Sequence, residues 1–91
     1  MIDMNKIIQI LNNLKSENEI EKFLDEILTK NELDTLSKRW RIMELLSQGT
    51  TQRDIANDLN VSLCKVTRGA KILKNKNAIT TKFLNKGSKN D

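Results

Sequence analysis

The chain has no histidine, no proline and no tyrosine, and a single cysteine among its 91 residues. Each absence narrows what it can be. With Cys64 alone and no histidine, neither an intramolecular disulfide nor a cysteine–histidine metal cluster can form. No phosphate-binding loop and no nucleophile beside a base is readable in it, so the expectation is no enzyme, no catalytic residue, no metal and no cofactor. The lack of proline and the count of three glycines leave few breaks in the chain, and aromatics make up 3% against 37% apolar residues. That balance predicts an all-α protein built from Leu, Ile and Met. Apolar runs rarely exceed two residues and no basic-then-apolar leader opens the chain, so no membrane contact and a cytoplasmic location are expected.

What is present is charge, unevenly placed. Residues 1–37 hold four Lys/Arg against eight Asp/Glu, residues 38–61 four against three, and residues 62–91 eight against one. A segment of net +7 beside one of net −4 suits binding to a polyanion while the acidic end is held away from it. A solvated lysine-rich tail is the plainer reading of the same count. A chain this short buries a smaller fraction of its surface than a longer one, so a partner subunit is expected to complete the core.

Helical spacing runs through the first half. Met4, Ile7, Ile8, Leu11 and Leu14 form one stripe behind Asp3 as N-cap, with an end near Lys15. Ile20, Phe23, Leu24, Ile27 and Leu28 form a second behind the capping pair Ser16 and Glu19. Thr29 and Glu32 repeat that pair and open a third helix running to about Gln48, where Gly49 is the expected left-handed stop. Its stripe is Leu33, Leu36, Trp40, Met43 and Leu46, widened by Ile42 and Leu45, which predicts burial on two sides. The chain reads as a single domain, 1–91. Within it, 1–48 forms a helical dimerisation core, 51–73 a helix-turn-helix, 77–86 a last helix and 87–91 a disordered tail.

The segment Gln52 to Lys71 carries the chemistry. Thr51 caps its first helix, Ile55 and Leu59 lie one turn apart and face inward, and Ala56 is small where the second helix crosses. Asn60 occupies the turn, where positive φ is wanted, and Ser62 caps a second helix whose Val66 returns to the first. The outward face then presents Leu63, Cys64, Lys65, Thr67 and Arg68. Cations neutralise phosphates or donate to guanine, and threonine contacts a base edge or a thymine methyl, which is how a helix that reads the major groove is furnished.

Leu28-Thr29, Arg39-Trp40-Arg41-Ile42, Gln52-Arg53, Thr67-Arg68-Gly69 and Leu73-Lys74 together resemble the tryptophan repressor family over roughly residues 18–85. The resemblance implies six helices per chain, an intertwined homodimer and paired helix-turn-helix heads on a near-palindromic double-stranded DNA operator. It also implies a ligand site for L-tryptophan as co-repressor, with Thr29, Arg39 and Arg68 matching family positions and Gly69 letting a ring approach the backbone. Planar guanidinium groups both stack on an indole and pair with a carboxylate. For DNA contacts it adds Arg53 to Leu63, Cys64, Lys65, Thr67 and Arg68. Two positions depart from the family pattern. Ile72 stands where a serine reaches the ligand's amino group, and Ala56 where a longer basic side chain reads the operator.

The resulting expectation is a sequence-specific transcriptional repressor activated by L-tryptophan or a related small ligand. Two alternatives stand beside it: a ligand-independent helix-turn-helix regulator, and a helical protein-interaction module whose basic end only solubilises it.

Overall fold

The computed structural model describes residues 3–88, which form six helices and no strand: α1 (Asn5–Asn13), α2 (Glu17–Ile27), α3 (Lys30–Ser47), α4 (Gln52–Leu59), α5 (Leu63–Lys74) and α6 (Ile79–Ser88). Where the sequence reads as one domain, the contacts gather into two compact units, Met1–Asp34 and Thr35–Asp91. The expected last helix, 77–86, starts two residues later and continues over Gly87 and Ser88, which were assigned to a disordered tail. The rest of that tail, 89–91, lies outside the described residues.

In the first unit the helix starts follow the capping chemistry. Ser16 Oγ accepts from the Glu19 N–H at 3.2 Å, while Glu19 Oε1 accepts from the Lys15 N–H, one residue before the cap. At α3 the exchange is reciprocal: Thr29 Oγ1 accepts from the Glu32 N–H at 3.1 Å, and Glu32 Oε1 accepts from the Thr29 N–H at 2.8 Å. Two donors that a helix N-terminus leaves unpaired are thereby satisfied. At α1 the N-cap is Met4, but Asp3 still serves the helix start, since its Oδ1 accepts from the Asn5 N–H. Neither α1 nor α2 contains a buried residue. Their stripes are only partly covered: Met4, Ile8, Leu11, Ile20 and Ile27 are exposed, whereas Ile7, Leu14, Phe23, Leu24 and Leu28 are half-buried.

The second unit has a small, well-defined core. Ile42 of α3, Ile55 of α4 and Val66 of α5 are almost completely buried, and Leu45, Leu46, Ala56, Leu59 and Val61 pack on them. The predicted burial of α3 on two sides is not met within one chain. Ile42, first read as a widening of the stripe, is its only buried residue, whereas Leu36 is 50% and Trp40 39% exposed. A helix wraps side chains around its whole circumference, and among the described residues the face carrying Leu36 and Trp40 stays exposed.

Gly49 ends α3 at φ +93°, its N–H donating to Leu46 O and that of Thr50 to Leu45 O, the hydrogen bonds of a left-handed helix stop. Asn60 ends α4 at φ 54°, ψ 50°, the conformation asparagine tolerates better than other side chains. Three residues later α5 begins, with Ser62 Oγ accepting from the Lys65 N–H. Thr81 of α6 is buried, and its hydroxyl donates to Ile72 O at 3.3 Å, fastening α6 to α5.

Gly69 was expected to make room for a ligand ring. Its missing Cβ makes room for α3 as well: a Cβ built there meets Ile42 Cγ2 at 3.1 Å and Met43 Cγ at 3.3 Å. Alanine at 69 gains about 1 kcal/mol of helix propensity. Overpacking against a buried, β-branched Ile42 costs roughly 2 kcal/mol. Gly69→Ala is therefore expected to lower stability by about 1 kcal/mol net, measured as a shift in urea midpoint. A variant more stable than the parent shows that Ile42 and Met43 yield.

Candidate functional site

α5 supplies most of the candidate residues, and its 3.6-residue period sorts them into two faces. Lys65, Arg68, Gly69 and Ile72 follow the i, i+3, i+4, i+7 pattern of one face. With Arg39, Ile42 and Met43 of α3 they line a pocket of about 130 Å³. Cys64, Thr67, Arg68 and Lys71 follow the same pattern on the adjoining face and, with Leu63, line a shallow outward groove. Arg68 belongs to both.

The groove face matches the sequence expectation in Leu63, Cys64, Thr67 and Arg68, and adds Lys71, which helical spacing from Thr67 and Arg68 would have supplied. It is a strongly cationic helix: α5 carries Lys65, Arg68, Lys71 and Lys74 and no acidic residue. Leu63 is half exposed and Cys64 exposed, so short and apolar groups flank the cations near the helix start. Thr67 is more constrained than its outward position suggests. Its hydroxyl lies 3.0 Å from both Gln52 Oε1 and Leu63 O. One proton serves those two acceptors, so what Thr67 offers outward is a lone pair and a methyl group. The same hydrogen bond ties α5 to the first residue of α4 and fixes the angle of the hairpin.

The pocket brings together three of the residues expected to hold a ligand, Arg39, Arg68 and Gly69. It also takes Lys65, which the sequence assigned to the groove. Arg39 is distinguished here from its neighbour Arg41, whose guanidinium pairs with Glu44 at 3.3 Å on the exposed side of α3. Thr29 belongs to the other unit, where it caps α3. Arg53 is exposed on α4 and lines neither the pocket nor the groove.

The pocket's lining side chains are three cations and three apolar groups, beside Gly69, with no carboxylate, amide or hydroxyl. Such a site offers an anion two guanidinium forks and an ammonium, and offers a ring the apolar walls of Ile42, Met43 and Ile72.

Comparisons with known proteins identify the family of the chain. A family model described as Trp repressor protein matches residues 3–88. A protein of Xylella fastidiosa named as a Trp operon repressor homolog is 40% identical over 72 residues, covering 78% of each chain. One of Haemophilus influenzae with the same name is 34% identical over 71 residues, 77% of this chain and 70% of that one. The chain belongs to the Trp repressor family. Membership agrees with its all-α class and six helices and places it among repressor-type regulators. No solved structure gives a significant match. Among the described residues no helix is long and apolar enough to cross a membrane, and no group of three metal-ligating side chains comes together.

Proposed function

We propose that this chain is a sequence-specific, DNA-binding transcriptional repressor that acts as a cytoplasmic homodimer and takes L-tryptophan or a related small ligand as co-repressor. The observation that carries the proposal is the double membership of Arg68, which lines the pocket against α3 and the outward groove of α5 at once. A ligand held by Arg39 and Arg68 restrains the side chain, and with it the helix, that meets DNA. The coupling is reciprocal, so DNA must tighten ligand binding by the same factor.

In this reading α4 and α5 are a helix-turn-helix, with α5 in the major groove. Leu63, Cys64, Thr67, Arg68 and Lys71 face base edges and phosphates, and Lys65 and Arg53 add phosphate contacts. The partly exposed stripes of α1 and α2 and the Leu36/Trp40 face of α3 support the homodimer. Isolated helices of this length are marginal in water, and apolar faces of that extent mark a partner surface.

Calorimetric titration with L-tryptophan tests the co-repressor. Saturable binding near one per chain supports it, and no heat at millimolar ligand assigns the protein to ligand-independent regulation, the reading favoured by Ile72 at the pocket wall. Duplex binding is tested by salt. Each neutralised phosphate contributes about −0.9 to the slope of log K against log salt, so two heads with two or three phosphate contacts each give a slope of roughly −4 or steeper. Failure to bind duplex DNA at low salt identifies instead a helical protein-interaction module.

A further inference from the structure

We propose that the pocket selects a small aromatic acid carrying two negative charges over one carrying a single charge, and that Lys65 makes the selection. This deepens the co-repressor reading and rests on it. That reading uses two of the pocket's three cations, Arg39 and Arg68, and leaves Lys65 without a role in the pocket. The rest of the lining is Ile42, Met43, Gly69 and Ile72, so no acidic side chain of the pocket balances the three charges.

Burial separates the two kinds of group. Arg39, Lys65 and Arg68 are exposed, whereas Ile42 and Gly69 are buried and Met43 and Ile72 half-buried. The cations stand at the mouth and the apolar groups form the floor. A cavity of about 150 Å³ holds a benzene ring, so the pocket, at about 130 Å³, takes a flat ring and leaves its charged substituents at the mouth. One carboxylate has two oxygens, and a guanidinium fork from α3 and another from α5 satisfy them. Lys65 precedes Arg68 by three residues, which on a helix sets the two side chains on one face with Cβ atoms about 5 to 6 Å apart. A single carboxylate held by the arginines leaves the Lys65 ammonium facing only like charge in the pocket. A second anionic group on the same ring, about one helical turn from the first, removes that repulsion. At an exposed mouth the added ion pair is worth a factor of about five in affinity.

The test compares benzoate with benzene-1,3-dicarboxylate, the same ring with one further carboxylate, beside L-tryptophan. Each is titrated by calorimetry into the full-length protein at low salt. The dicarboxylate is expected to bind at least fivefold more tightly than benzoate, beyond the statistical advantage of two equivalent carboxylates. Lys65→Met is expected to bring that ratio down to the statistical value with benzoate affinity nearly unchanged. Lys74→Met removes a charge from the same helix outside the pocket lining, and is expected to keep the ratio of the parent. A parent ratio at the statistical value overturns the inference, and so does a ratio that survives in Lys65→Met. Equal losses in Lys65→Met and Lys74→Met overturn it too, because the preference is then a property of net charge. Saturable L-tryptophan binding with neither acid bound overturns the inference and leaves the co-repressor reading standing. Absence of binding by all three overturns both.

Discussion

Arg68→Ala is expected to lower affinity for operator DNA by about 100-fold and to make that affinity independent of ligand. The first effect follows from charge. A hydrogen bond to a charged group contributes about 1.5 to 3 kcal/mol, and a symmetric dimer loses it twice, so about 100-fold is the lower end of the expected loss. The second follows from geometry, since Arg68 is the residue shared by the pocket and the groove. Lys71→Ala separates the two. Lys71 lines the groove but not the pocket, so its loss weakens DNA binding while the ratio of affinities with and without ligand stays at the parent value. Fluorescence anisotropy of labelled duplex, with and without saturating ligand, reads both quantities. An Arg68→Ala protein that keeps the full ratio removes Arg68 from the coupling, whatever it does to basal affinity.

Local chemistry made much of this legible before any coordinates. Asn60 between two apolar periods can only be a left-handed turn residue or a break, and it sits at φ 54°. Ser16, Thr29, Thr51 and Ser62 each stand before a helix, and each accepts the hydrogen bond that its position implies. Ile55 and Val66 were readable as pins because both flank a short turn, where few packings are available.

The misreadings came where a residue's environment depends on another helix. Lys65 was placed with its outward neighbours, but successive helix residues turn by about 100°, which aligns it with Arg68, Gly69 and Ile72 toward α3. Gly69 was read for a ligand and lines the pocket, but it also has a packing role that periodicity does not show. Only the 3.1 Å approach to Ile42 Cγ2 shows that helix packing demands it. Periodicity gave the α3 stripe, but not which part of it this chain buries, because that depends on which other helices pack against each face.

Ile55→Ala is expected to destabilise the protein by about 3 kcal/mol, the middle of the range for truncating a buried isoleucine. The site has little scope to collapse, because Ile55 is fully buried against Ile42 and Val66 and these are the three buried hydrophobic residues among those described. For a domain of this size each kcal/mol moves the melting midpoint by roughly 4 to 8 °C, so a drop of about 12 °C or more is expected in a thermal melt followed by circular dichroism. Leu63→Ala removes a similar side chain from the half-exposed start of α5 and should move the midpoint by no more than a few degrees, yet weaken DNA binding. The pair therefore tests the division of labour within α4 and α5. Equal losses of stability would mean that Leu63 is covered, and the outward face of α5 would then be part of a core rather than a surface for DNA.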